Sequence, residues 1–69
     1  MFHVKALYFN FDRTEAKVKD SMFHEYTAPV TRREADEVIK VDNYEAEKLL
    51  VDKIMKHNGV KDYKMYPKQ

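Results

Sequence analysis

Residues 31–58 constrain the fold most, because they carry the start signals of two helices. Thr31 and Glu34 predict a capping box, in which the threonine hydroxyl accepts a hydrogen bond from the N–H of Glu34 and the glutamate carboxylate accepts one from the N–H of Thr31. Asp42 and Glu45 repeat the same pattern further along the chain. We therefore predict two helices in this segment rather than one continuous helix.

The predicted helices span residues 32–40 and 43–57, and their apolar side chains recur at intervals of three and four residues. This spacing gives an apolar stripe that faces the core and an opposite face on which unlike charges lie four residues apart. Gly59, the single glycine of the chain, follows Lys56 and His57. We expect Gly59 to end the second helix in a left-handed conformation, since cations and glycine both favour helix C-termini.

The first ten residues after Met1 predict a strand, because they are rich in aromatic and β-branched side chains. A strand that alternates strictly would have two apolar faces, one with Phe2, Val4, Ala6 and Tyr8 and the other with Leu7, Phe9 and Phe11. Strands that are covered on both sides have this composition, so we expect the first strand at the centre of the sheet.

The remaining segments predict two further strands, one over residues 16–28 after a turn at 12–15 and a short one over residues 60–67. The expected fold is a single α+β domain, residues 1–69, with element order β-β-α-α-β. Its three-stranded antiparallel sheet has the order 2-1-3, and the helices pack on one face.

Composition excludes several classes of function. The chain has no cysteine, which excludes disulfides, thiolate nucleophiles and cysteine-based zinc sites. Its 13 basic and 12 acidic residues give a net charge of +1, which is far from the basic balance of a duplex-binding domain. No apolar run is long enough to span a membrane and no secretory leader is recognisable, so the cytoplasm is the expected compartment.

Candidate catalytic and metal-binding groups are few. His3, His24 and His57 have no helical ligand spacing, although a hairpin register could place His3 opposite His24. Asp20, Ser21 and His24 are the residue types of a nucleophilic triad, but on a strand Ser21 and His24 would point to opposite faces. A glycine-rich phosphate loop is absent from the sequence. We therefore expect neither catalysis nor a cofactor.

Aromatic and basic residues together favour a second kind of function. Sheets that present aromatic rings among lysines bind single-stranded nucleic acid by stacking and by charge. The lysines concerned lie in or beside the second and last predicted strands. Residues of this type are Tyr8, Lys17, Lys19, Phe23, Lys61, Tyr63, Lys64, Tyr66 and Lys68, of which we select Lys17, Lys19, Tyr63 and Lys64 as the nucleic-acid-binding candidates. Tyrosine and lysine also suit strands and their edges for purely structural reasons.

The leading functional prediction follows from the two apolar faces of the first strand. One helical layer covers one face, and the other face would leave a larger apolar patch than a monomer normally exposes. We expect this patch to bind a second copy of the chain or another protein, as in an adaptor, an inhibitor or a stand-alone accessory protein of phage or plasmid origin. The predicted partner-binding residues are Phe2, Val4, Tyr8, Phe23 and Tyr66.

Overall fold

The computed structural model describes residues 1–67 and has an α+β architecture with two helices and five short strands. The elements in chain order are β1 (Phe2–His3), β2 (Ala6–Phe9), β3 (Glu15–Lys19), β4 (Glu25–Pro29), α1 (Arg32–Val41), α2 (Tyr44–His57) and β5 (Tyr63–Lys64). Strands β2, β3 and β4 form an antiparallel sheet in that order, and β1 pairs with β5. The small α+β class, the three-stranded antiparallel sheet and the two separate helices are as predicted.

The start of α1 confirms the first capping box. Thr31 accepts from the N–H of Glu34 at 3.1 Å, and the Glu34 carboxylate accepts from the N–H of Thr31 at 2.9 Å. The capping box predicted at Asp42 is wrong. Asp42 ends α1 in the left-handed region, with φ 53°, and Asn43 is the N-cap of α2. The short connection between the helices needs a residue with positive φ, and Asp42 fills that role because aspartate tolerates the left-handed region.

The end of α2 confirms the prediction for Gly59. Its φ is +72°, and its N–H donates to the carbonyl of Lys56 at 3.1 Å. The N–H of Val60 donates to the carbonyl of Met55 at 2.9 Å. These two bonds form a Schellman motif, which turns the chain from α2 towards β5.

A β-bulge breaks the first strand and changes which of its residues face the core. The N–H of Lys5 donates to the carbonyl of Lys19 at 2.8 Å, while the register partner of Lys19 is Ala6. Two residues of the first strand therefore oppose one residue of its neighbour, which shifts the alternation of side chains by one position. As a result Val4 before the bulge and Leu7 after it both point into the same core.

The bulge overturns the expectation that one apolar face of the first strand remains uncovered. Phe2 and Val4 are buried at 8% and 2% exposure, and Leu7 and Phe9 pack against the same core cluster. The pattern of two apolar faces arose because strict alternation was assumed through a position where the chain inserts one extra residue. A single helical layer therefore covers members of both sets, while Tyr8 and Phe11 remain exposed.

The predicted strand over residues 16–28 is in fact a hairpin. The Asp20 carboxylate accepts from the N–H groups of Met22 and His24, at 2.8 and 2.9 Å, and Phe23 adopts φ 65°. Asp20 thus closes a tight turn that contains no glycine, which is why the sequence pattern did not reveal it. The extra strand makes β3 the centre of the antiparallel sheet, so the predicted order 2-1-3 differs from the observed one.

The last strand lies beside the first one, as expected. The two strands are parallel, whereas the prediction was antiparallel pairing. Strand β5 pairs with β1 in parallel, with Phe2 opposite Tyr63 and His3 opposite Lys64. On the core side, α2 packs across β3 and β4, and α1 packs against α2. The buried centre of this layer is formed by Val4, Val18, Val51, Ile54 and Met55. One face of the sheet is therefore covered by helices and the other faces outward.

Candidate functional site: the open edge of the sheet

The outer edge of β4 is partly blocked against further strand pairing. The N–H of Val30 donates to the carbonyl of Thr14 at 2.9 Å, and the alternation of the antiparallel ladder then leaves the backbone groups of Thr27 and Pro29 pointing away from the sheet. The carbonyl of Thr27 accepts from Asn58 Nδ2 at 2.9 Å. Pro29 has no N–H to offer. An incoming strand would find one acceptor of this edge, the carbonyl of Thr27, already used and one donor missing at Pro29.

The opposite edge, formed by β2, is open. The N–H of Asn10 donates to the carbonyl of Glu15 at 3.1 Å, so the bonded pairs recur at every second residue and include Tyr8. Leu7 and Phe9 lie between these pairs, and their N–H and C=O groups point away from β3. Within residues 1–67, nothing hydrogen-bonds to these groups. The backbone of residues 7–9, with the side chains it carries, is called the β2 edge below.

A wide groove lies beside the β2 edge. It has a volume of about 910 Å³ and is lined by Lys5 to Leu7, by residues 41–45 at the junction of the helices, and by Tyr66 and Pro67. The groove is open on one side, so it resembles a surface channel more than an enclosed substrate pocket. Its position means that a strand added to the β2 edge would have room for the side chains that it directs towards the helices.

Two tyrosines form one wall of the groove. Tyr44 and Tyr66 pack edge to face with ring centroids 6.1 Å apart, and the hydroxyl of Tyr44 donates to the carbonyl of Tyr66 at 2.6 Å. The hydroxyl of Tyr66 donates to the carboxylate of Glu47. Burial and this hydrogen bond to Glu47 raise the pKa of the Tyr66 hydroxyl well above its usual range, so it remains a donor at neutral pH.

The predicted partner-binding residues do not form one surface. Phe2 and Val4 lie in the core, where they have almost no surface for a partner. Tyr8 is 53% exposed on the outer face at the β2 edge, and Tyr66 lines the groove. Phe23 is 88% exposed at the tip of the β3–β4 hairpin. The structure therefore brings Tyr8 and Tyr66 to opposite sides of the same edge and leaves the other residues elsewhere.

The nucleic-acid-binding candidates lie in two groups. Lys17 and Lys19 are on the outer face of β3, and the carboxylate of Glu25 lies 3.7 Å from the ammonium group of each. The ammonium of Lys19 also lies 5.7 Å from the centre of the Tyr8 ring, a cation–π distance. One glutamate thus offsets part of the positive charge of this face. Both lysines lie beside the aromatic ring of Tyr8.

The second group is at β5. Tyr63 is half-buried, and its hydroxyl donates to Asp52 at 2.9 Å, so its ring is not free to stack on a base. Burial and this hydrogen bond raise the pKa of Tyr63 to about 12. Lys64 is exposed beside His3. Lys68 lies outside the described residues.

The groups considered for catalysis and metal binding are dispersed. His24 Nδ1 lies 3.2 Å from the carboxylate of Asp20 in the exposed hairpin, and within residues 1–67 no hydrogen bond joins the side chains of Ser21 and His24. His3 lies opposite Lys64 rather than His24. A cluster of three or more potential metal ligands is absent from residues 1–67.

The residues of the β2 edge that sequence reasoning missed are Leu7 and Phe9. Their side chains were recognised as apolar, but their importance lies in backbone groups, which sequence patterns do not report directly. One signal was present, because β2 contains neither proline nor an inward-pointing charge, two of the devices that protect an edge, although the bulge at Lys5 is a third such device beside it. The closed edge, by contrast, contains Pro29.

Neither α1 nor α2, the helices of residues 1–67, is long and apolar enough to cross a membrane. Comparisons with known proteins identify no relative: no family model matches the chain, and no curated protein or solved structure is significantly similar to it.

Proposed function

We propose that this protein is a small, cytoplasmic, non-enzymatic protein-binding module that binds through the β2 edge. The observation that carries the proposal is the difference between the two edges of one sheet. At β4, Asn58 occupies the carbonyl of Thr27 and Pro29 lacks an N–H, whereas at β2 the backbone groups of Leu7 and Phe9 are open among the described residues. Exposed edges that are left open pair readily with another chain.

The surroundings of the β2 edge support this role. Leu7 and Phe9 are only half-buried, so an added strand would remove further apolar surface from water. Tyr8 presents an exposed ring on the outer side, and aromatic side chains of this kind dominate the energetics of interfaces. The groove on the helical side provides space for the added chain.

Single-stranded nucleic acid is the second candidate, and the outer face of the sheet is the observation that favours it. Lys17 and Lys19 flank the exposed ring of Tyr8 there, as in surfaces that stack bases. The closeness of Glu25 to both lysines weakens this proposal, because its carboxylate lowers the positive potential that attracts phosphate. Tyr63 lies away from this face and is hydrogen-bonded to Asp52.

The test is photo-crosslinking from two positions on the same face of the sheet. Tyr8 and Thr27 are both register partners of Lys17, but Tyr8 is at the open edge and Thr27 at the closed one. Each is replaced in turn by p-benzoylphenylalanine, and the purified protein is irradiated alone and in a lysate of the expression host. We expect polypeptide adducts from position 8 and few from position 27.

Digestion of the adducts identifies the class of partner. Adducts that protease removes and nuclease leaves intact support the protein-binding proposal. Adducts from position 8 that nuclease removes, together with binding of a 20-nucleotide oligothymidylate that weakens steeply with salt, would instead establish the nucleic-acid candidate. Equal polypeptide labelling from positions 8 and 27 would rule out the β2 edge as the binding element.

A further inference from the structure

We propose that the chain bound at the β2 edge is a basic peptide segment, which pairs with the edge as an extended strand and directs lysine or arginine side chains into the groove. This inference rests on the proposed function and specifies the chemistry of its partner. The open edge supplies backbone pairing, which is available to a peptide of any sequence. The charges of the groove beside it select among such peptides, and those charges are mainly negative.

The edge is free over residues 7–9 because β5 leaves the first strand before it reaches them. The N–H of Val4 donates to the carbonyl of Lys64 at 2.8 Å, and β5 ends at Lys64. Within residues 1–67, no backbone hydrogen bond joins residues 65–67 to β2. Tyr66 and Pro67 instead line the groove. An added strand would therefore take up the pairing beyond the point where β5 ends.

Acidic side chains outnumber basic ones along the groove. Asp42, Glu45 and Glu47 line it, and among residues 1–67 Lys5 is the one basic residue that does so. Within the described part of the chain none of these three carboxylates forms an ion pair. The lining thus has an excess of negative charge. A cleft lined mainly by one sign of charge concentrates ligands of the opposite sign.

The fold itself accounts for only part of this negative charge. Glu45 lies in the first turn of α2, where a carboxylate interacts favourably with the helix dipole, and Glu47 accepts a hydrogen bond from the hydroxyl of Tyr66. Asp42 has φ 53°, and Asn43 rather than Asp42 is the N-cap of α2. Asparagine or glycine at position 42 would suit this conformation equally well, so the carboxylate of Asp42 is available to a ligand.

The geometry of an added strand brings alternate side chains to the groove. Leu7 and Phe9 pack against the core, so the residues opposite them on the added strand also point to the helical side of the sheet. The intervening residues lie beside Tyr8 on the outer face. The rings of Tyr44 and Tyr66 also favour a cation in the groove, since tyrosine faces attract positive charge. The matching partner is an extended segment with lysine or arginine at every second residue.

The first measurement is the binding of a fluorescein-labelled octapeptide that alternates lysine and threonine, followed by fluorescence anisotropy at low ionic strength. We expect this peptide to bind and its counterpart with glutamate in place of lysine not to bind. The double variant Asp42→Asn/Glu45→Gln should raise the Kd of the lysine peptide by about fivefold or more. Glu37→Gln/Asp62→Asn removes two exposed carboxylates outside the groove and should leave the Kd nearly unchanged. Circular dichroism checks that both variants fold.

The second measurement tests whether the peptide pairs with the edge as a strand. In antiparallel pairing the lysine residues lie opposite Leu7 and Phe9 and exchange backbone hydrogen bonds with them, so methylation of the lysine amide nitrogens should abolish binding. In parallel pairing the threonine amides make these bonds instead. One set of N-methyl groups should therefore prevent binding, and the other set should be tolerated. Equal affinities for the two methylated peptides would overturn the inference.

The remaining outcomes separate this inference from the proposed function. Equal binding of the lysine and glutamate peptides, or an equal loss of affinity in the two double variants, would overturn the basic partner. A lysine peptide that does not bind at high micromolar concentration, with position 8 still labelling a protein in the lysate, would overturn this inference and leave the protein-binding proposal standing. No binding of either peptide and no polypeptide adduct from position 8 would overturn both.

Discussion

Asn58, the C-cap of α2, reaches across to the outer strand of the sheet and donates from Nδ2 to the carbonyl of Thr27 at 2.9 Å. The same nitrogen lies 2.8 Å from the carbonyl of Ile54, within its own helix. One side chain thus completes the end of a helix and also closes the edge of a sheet. This link makes the two edges different, and the functional proposals follow from that difference.

Removing this side chain should open the closed edge. We expect Asn58→Ala to lower the free energy of unfolding by about 1 kcal/mol, the usual net value of a lost hydrogen bond, and to increase self-association. The second effect should survive in the Tyr8→Glu background, where the β2 edge is blocked. Sedimentation velocity of the double variant checks this expectation. A double variant that remains strictly monomeric would show that Pro29 alone is sufficient to protect the β4 edge.

The bulge predicts that adjacent residues of the first strand respond very differently to charge. Val4 is 2% exposed, so Val4→Asp should bury an unpaired carboxylate and lower the free energy of unfolding by more than about 3 kcal/mol. His3→Asp, one residue earlier on the exposed side, should cost about 0.5 kcal/mol or less. Urea denaturation followed by circular dichroism measures both. Similar losses for the two variants would contradict the assigned faces.

Phe23 combines exposure with an unfavourable backbone conformation, since it is a bulky residue with φ 65°. Its side chain is 88% exposed, so its removal sacrifices little burial. Phe23→Gly should therefore raise the free energy of unfolding by about 1 kcal/mol, because glycine adopts positive φ without the steric cost. The comparison variant is Phe23→Ala, which keeps the steric cost and should not stabilise. Equal stabilities for Phe23→Gly and Phe23→Ala would mean that the turn stores no strain at this position.

Tyr63 predicts a loss of stability at alkaline pH. Burial and the hydrogen bond to Asp52 raise its pKa to about 12, above the ordinary value of 10. The fold therefore favours the protonated phenol, and this contribution is fully present below pH 10 and is lost as the pH rises to about 12. The difference in stability between the parent and Tyr63→Phe should shrink across this interval. Denaturant titrations at pH 9, 10, 11 and 12 measure it, and a constant difference would contradict the assigned cause.

The caps of the two helices give a test of the junction between them. Thr31→Ala and Asn43→Ala should each lower the free energy of unfolding by about 1 kcal/mol, because each removes the acceptor for a backbone N–H of the first helical turn. Asp42→Gly should be neutral or stabilising, since Asp42 has φ 53° and glycine tolerates that conformation better. A larger loss from Asp42→Gly than from Asn43→Ala would place the N-cap of α2 one residue earlier.

The sequence alone determined the features that depend on neighbouring residues. The Thr31–Glu34 capping box, the separation of α1 from α2 and the left-handed Gly59 all arise from hydrogen bonds within one or two turns of the chain, so their residue types are sufficient to predict them. The hairpin at Asp20 is also local, but it uses a carboxylate and a strained Phe23 where the usual signal is glycine. Without a glycine to mark the turn, the boundary between β3 and β4 was not recognised in the sequence.

The tertiary structure decided the features that depend on pairing between distant segments. Strict alternation placed Phe2 and Val4 on the face opposite Leu7, and only the pairing of Lys5 and Ala6 with Lys19 reveals the shift that puts them in one core. The candidate site has the same origin. An edge is open or closed according to what lies beside it, and the contact between Asn58 and Thr27 joins residues far apart in the chain, so no local pattern determines it.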